Sequence, residues 1–92
     1  MVVSPTRLTL IRKPGCHLCD DARVVIDEVV EQLGERASIV VDEVSILDDP
    51  ALNDRYWDEI PVVLIDDRVH TIWRVDASRL SAALLDAAAL AS

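Results

Sequence analysis

The chain has 92 residues, 51% hydrophobic and 28% charged, which is enough for one small globular domain over residues 1–92 with a single core and too little for a second. Nine Lys and Arg against 17 Asp and Glu leave a formal charge of -8, which excludes a nucleic-acid surface, because such affinity is built from clustered cations. No run of about 18 apolar residues occurs, which excludes a membrane-spanning helix, and Met1 to Arg7 lack the basic start and apolar stretch of a secretory leader, so a cytoplasmic monomer is expected.

In chain order, Leu8, Leu10 and Ile11 within Arg7 to Arg12 predict a strand, stopped by the turn-forming Lys13-Pro14-Gly15. From Leu18 the apolar positions Ala22, Val25, Val29 and Leu33 recur at helical spacing. Ile26 and Val30 widen that stripe, Asp27, Glu28 and Glu31 take the other side, and Gly34 stands where a C-cap glycine belongs. The β-branched residues of Ala37 to Val44 predict a second strand, with Ile39-Val40-Val41 buried on both faces. Asp49 is a natural N-cap with Pro50 in the first turn of a helix of roughly two turns, which ends before Ile60-Pro61. Val62 to Ile65 is the most apolar strand candidate, and Asp66-Asp67-Arg68 turns it into a hairpin with Val69 to Arg74. A terminal helix carries Leu80, Leu84 and Ala87 or Ala88, with Asp76 as candidate N-cap and Ser92 as a frayed end.

The order β-α-β-α-β-β-α implies an α/β (α+β) fold, a four-stranded mixed sheet flanked by helices. The β-α-β unit makes its strands parallel and the tight turn makes the later pair antiparallel.

The two cysteines of the chain, Cys16 and Cys19, lie three apart at the passage from strand to helix. Cytoplasmic thiols stay reduced, and a disulfide closing so short a loop would stabilise the fold by only about 2 kcal/mol, so the pair points to redox or metal chemistry instead of a staple. At i, i+3 on a helix the two Cβ atoms lie about 5 to 6 Å apart, close to disulfide reach. Cys16 is the outer residue and is assigned as nucleophile; Cys19, deeper, is assigned as resolving thiol. Attack requires a thiolate, and lowering a thiol by about 2 pKa units takes roughly 2.7 kcal/mol. An exposed helix N-terminus supplies about 0.3 to 1 kcal/mol, so first-turn N–H groups and the Lys13 ammonium are expected to add to it. Asp20 and Asp21 work in the opposite direction, and the expected net effect is a lowering. His17 has two readings, a thiolate-supporting or proton-transferring group and a solvent-facing helix residue. Zinc lacks ligands, since only the cysteines, His17 and the distant His70 are on offer, and no metal residue is assigned. A c-type haem site would need His directly after Cys19, where Asp20 stands.

The strand, then Lys13-x-x-Cys16-x-x-Cys19 opening a helix, then Ile60-Pro61-Val62-Val63 entering a hairpin, resembles the glutaredoxin-like branch of the thioredoxin-fold oxidoreductases over nearly the whole chain. The resemblance implies a cis peptide bond before Pro61, which would lie against the cysteines, and a backbone at Ile60 that pairs with a bound peptide or glutathione. Glu59-Ile60-Pro61 stands where that family has Thr-Val-Pro, and Trp73-Arg74 stands near its Gly-Gly pair. Trp73 narrows the route for glutathione, Glu59 repels its carboxylates and Arg74 attracts one. Substrate contacts are therefore placed at Glu59, Ile60, Pro61, Trp73 and Arg74.

The function expected is reduction of protein or low-molecular-weight disulfides, with no tightly bound cofactor. Electrons would come from glutathione or from a thioredoxin-reductase-type donor. The alternative is a non-catalytic module that binds a metal, an iron-sulfur cluster or a protein partner, or senses redox state. Tyr56 and Trp57 either wall the cysteines or pin the short helix to the sheet, and His70 is expected to be an exposed polar residue.

Overall fold

Residues 5–91 are described by a computed structural model; the expected fraying at Ser92 lies outside them. The expected order of elements is found: β1 (Thr6–Arg12), α1 (His17–Leu33), a 3-10 turn (Gly34–Arg36), β2 (Ile39–Ser45), α2 (Pro50–Tyr56), β3 (Val62–Ile65), β4 (Arg68–Ile72) and α3 (Ala77–Ala91). The strands form one mixed sheet in the order β2-β1-β3-β4, with β1 parallel to β2 and antiparallel to β3, and β3 antiparallel to β4.

Local chemistry sets the boundaries. Gly34 caps α1 at φ 51°, a conformation glycine adopts without a Cβ penalty, and its N–H returns to the Val30 carbonyl. The Asp49 carboxylate accepts the Ala51 N–H at 2.9 Å at the start of α2, and the Asp76 carboxylate accepts the Arg79 N–H at 2.8 Å at the start of α3. Asp66 and Asp67 both have positive φ, 49° and 68°, as a two-residue type I′ hairpin turn requires. Aspartate tolerates that region better than most residues, which explains a turn built without glycine.

The sheet carries a core on each face. On one, Leu8, Leu10, Val63 and Ile65 pack against Ala22, Ile26, Val29 and Leu33 of α1 and against Leu80 and Leu84 of α3. On the other, Ile11 and Val62 meet Tyr56, Ile46 and Ile60, with Leu52 of α2 packed against them. Cys19 belongs to this second cluster although its helix lies over the first. The cysteine turn therefore sits where the two cores meet.

Three expectations are corrected. Val40 is exposed, because β2 is an edge strand and α2, seven residues long, packs over Ile11 and Val62 of the inner strands instead. The last strand ends at Ile72 and not at Arg74, because Trp73 turns to φ 67°. His70 is half-buried, because the β3–β4 register shifts there: Val63 pairs with Thr71 and Leu64 with Val69, so His70 is the extra residue of a bulge. It lines a groove with Ala83, Asp86 and Ala87 of α3, and burial together with Arg79 holds its imidazole below the ordinary value.

Ile26 is fully buried between α1 and the sheet. Ile26→Ala should cost about 2 to 5 kcal/mol of folding stability, read as a lowered denaturant midpoint with an unchanged slope.

Candidate active site

The turn that carries the cysteines is built from the end of β1. Gly15 takes φ 72° and brings the chain round, and Cys16 follows in extended conformation, φ -95° and ψ 112°, as the N-cap of α1. An N-cap residue ordinarily offers an oxygen to a first-turn N–H. Here the acceptor is sulfur: the Cys19 N–H donates to Cys16 Sγ at 3.3 Å, and the Asp20 N–H donates to the Cys16 carbonyl at 3.1 Å. Both thiols are free; Cys16 is half-buried and Cys19 fully buried. Burial pushes the Cys19 thiol up to about 11, and the neighbouring Cys16 sulfur adds to that, while the Lys13 backbone and the Arg12 guanidinium pull it back.

The wall beside the cysteines comes from the chain before β3. The Ile60 to Pro61 peptide bond is cis, Pro61 is buried, and Ile60 and Val62 share a cluster with Cys19 against which Cys16 also packs. Tyr56 lies in the same cluster, so one side chain both anchors α2 and lines the cysteine end, whereas Trp57 is exposed. Glu59 is half-buried, and its N–H closes the end of α2 on the Tyr56 carbonyl at 2.9 Å.

Trp73 crosses this wall. Its backbone N–H donates to the Pro61 carbonyl at 2.8 Å and its indole Nε1 to the Asp58 carbonyl at 3.0 Å, so the residue holds the proline loop at two points while 53% exposed. The Arg74 N–H returns to the Ile72 carbonyl at 2.8 Å, closing a γ-turn about Trp73 with positive φ, a rare and strained form. Arg74 is exposed and lines a groove of about 230 Å³ with Leu18, Asp21, Ala22 and Val25 of α1. Lys13 and His17 flank Cys16 in the chain and are both exposed.

One charged group at the site was not anticipated from sequence. Arg12, at the end of β1, bonds Asp20 at 2.6 Å and Glu43 of β2 at 2.8 Å, and Arg23 reaches the same Glu43 at 3.1 Å. The two carboxylates hold the guanidinium above its ordinary value. The available signal was a strand-end cation eight residues before Asp20; its second partner lies 31 residues away and only the sheet brings it close. Among the described residues no group of three or more His, Cys, Asp or Glu side chains could hold a metal ion, and no helix is long and apolar enough to cross a membrane.

Comparison with known proteins agrees with this fold. A family model described as a glutaredoxin-like domain (DUF836) matches residues 7–85. An uncharacterized protein of Mycobacterium tuberculosis is 33% identical over 81 residues, 87% of this chain and 84% of its own length. A glutaredoxin-like protein of Dictyostelium discoideum is 31% identical over 72 residues, 74% of this chain and 65% of its own. Among solved structures, a protein of X. campestris superposes with a TM-score of 0.66 at 34% identity, covering 84% of this chain and 93% of that one. Chloroplastic thioredoxin z superposes with a TM-score of 0.72 at 13% identity, over 92% of this chain and 80% of its own, a likeness of fold alone.

The Cys19 thiol yields a pH prediction. The unfolded chain loses this proton near the ordinary value of 9.0, the folded chain only near about 11. Between these values the unfolded state binds fewer protons, so the stabilisation is whole below the lower value and is lost as pH rises toward the upper one. Thermal unfolding of the reduced protein should fall over that window, and the fall should be shallower in Cys19→Ala.

Proposed function

The chain belongs to the glutaredoxin-like domain family (DUF836), and from that premise we propose that it is a dithiol-disulfide oxidoreductase in which Cys16 attacks and Cys19 resolves. The observation that carries this reading is the asymmetry of the two sulfurs: Cys16 is reachable at a helix N-cap with a backbone N–H aimed at it, and Cys19 is sealed one turn behind. The Cys19 N–H also fixes the direction of the Cys16 sulfur, whose lone pair it engages.

In the proposed reaction the Cys16 thiolate attacks one sulfur of a substrate disulfide and expels the other as a thiolate, which takes a proton from water. The Cys19 thiol then loses its proton and attacks Cys16, releasing the second substrate thiol and leaving a Cys16–Cys19 disulfide. Two electrons pass to the substrate, and an external thiol or a reductase must return them. Ile60 and Pro61 form the wall against which an extended substrate segment lies, in the manner of a strand added to an edge. Glu59 and Arg74 set the charge at its two sides. Trp73 fills space over the proline loop and thereby disfavours glutathione as the electron donor relative to a reductase of the thioredoxin-reductase type.

The deciding test is turnover of a protein disulfide and of a low-molecular-weight disulfide with each donor system in turn. Turnover with one donor supports the reading; turnover with neither overturns it in favour of a binding module or redox sensor. Cys16→Ser should abolish turnover, whereas Cys19→Ser should accumulate a mixed disulfide detectable as an intact-mass adduct. Trp73→Gly, which suits the positive φ and opens the loop, should raise the rate with glutathione severalfold relative to the reductase-driven rate.

A further inference from the structure

Asp20 follows the resolving cysteine directly, and an unpaired carboxylate beside a thiol opposes its ionisation. In the fold, its carboxylate is turned to Arg12 at 2.6 Å, the shortest ion pair among the described residues, while the other arm of the same guanidinium holds Glu43 at 2.8 Å. Arg12 is half-buried, with a side chain 22% exposed, while that of Asp20 is 61% exposed, so the bridge is solvent-screened on its Asp20 side and acts through its two-armed geometry. Arg23 braces the arrangement through Glu43 and through Asp27 at 2.9 Å. The bridge joins the end of β1, the first turn of α1 and the edge strand β2, and so frames the cysteine turn.

We propose that Arg12 is a positioning residue for the dithiol: by clamping Asp20 and Glu43 it fixes the first turn of α1 behind Cys16 and offsets the carboxylate charge that would otherwise hinder Cys19. The assignment rests on the dithiol reading above and concerns its second step, the attack of Cys19 on the mixed disulfide at Cys16. The direction agrees with the pull of Arg12 on the buried Cys19 thiol, opposite to that of burial. The titratable groups around that thiol are Arg12 from the end of β1, Cys16 at the N-cap of its own helix and Tyr56 from α2, with the Lys13 backbone also bonded to it; Asp20, next in the chain, and Glu43 of β2 are both held by Arg12. A planar two-armed guanidinium suits a bridge between two carboxylates, which an ammonium spans less well.

The test uses the reduced full chain and the aryl disulfide dithiobis(nitrobenzoate). Cys16 attacks it and releases one aryl thiolate in a first phase; Cys19 then attacks the mixed disulfide and releases the second, leaving the Cys16–Cys19 disulfide. The second phase is intramolecular, so it is free of the reagent's own attraction to or repulsion from the protein. For Arg12→Gln the pH midpoint of this phase should rise by about one unit, the size of effect a lost neighbouring charge produces. A unit costs tenfold in thiolate and returns part of that in nucleophilicity, so the rate below the midpoint should fall about three- to fourfold. Arg12→Lys should recover part of the loss, and Asp20→Asn added to Arg12→Gln should recover most of it. Asp20→Asn alone, at an exposed position, should lower the midpoint and needs no change at the bridge cation.

An unchanged second phase in Arg12→Gln overturns the assignment. So does a slowed phase whose midpoint has not moved, which marks a merely structural role, or an Asp20→Asn midpoint that stays or rises. The two phases are read without any physiological donor. Absence of wild-type turnover with both donor systems therefore removes the functional reading alone, whereas a null Arg12 result beside normal turnover removes only the role of Arg12.

Discussion

The cysteine end depends on one contact, the hydrogen bond from the Cys19 N–H to the Cys16 sulfur. The first turn of any helix has N–H groups without partners, and most helices answer them with the oxygen of Ser, Thr, Asp or Asn. Here a thiol takes that place. The same geometry that ends the loop therefore orients the sulfur, and it places Cys19 one turn behind, facing the core. A single local rule of helix chemistry thus separates two identical side chains into a reachable one and a sealed one.

The sheet supplies the rest. β1 is an inner strand, so its two faces serve different cores: Leu8 and Leu10 look toward α1 and α3, Ile11 toward α2. The cysteine turn leaves from the end of this strand, and the chain entering the adjacent antiparallel strand β3 brings Ile60 and Pro61 to the same end. Trp73, leaving β4, is hydrogen-bonded across that loop. Three chain segments far apart in sequence meet beside the sulfurs because their strands are neighbours in one sheet.

Much of this was legible in the residues. The stripe from Ala22 to Leu33, the caps at Asp49 and Asp76 and the strand-turn-helix setting of the cysteines are local patterns, and local patterns are what a sequence displays. The cis bond before Pro61 was implied by family resemblance, not by the residues themselves. What escaped depends on neighbours. Val40 has the composition of a buried strand residue, and only the edge position of β2 and the shortness of α2 expose it. His70 turns inward through a register shift, a property of two strands and not of one. Trp73 adopts a backbone conformation that its side chain disfavours and that its hydrogen bonds hold, and Arg12 finds Glu43 only once β1 and β2 are paired.

Under the proposed dithiol chemistry, the capping sulfur would tie folding to redox state in a closed thermodynamic cycle. Its lone pairs receive the Cys19 N–H in the dithiol, and a disulfide formed at that sulfur would re-aim them. Any weakening of the helix start on oxidation must reappear, with equal magnitude, as a preference for the reduced form. A cap is worth about 1 kcal/mol, and for a two-electron couple that corresponds to roughly 20 mV. The helix boundary would thus also be a small bias on electron affinity, set by one hydrogen bond.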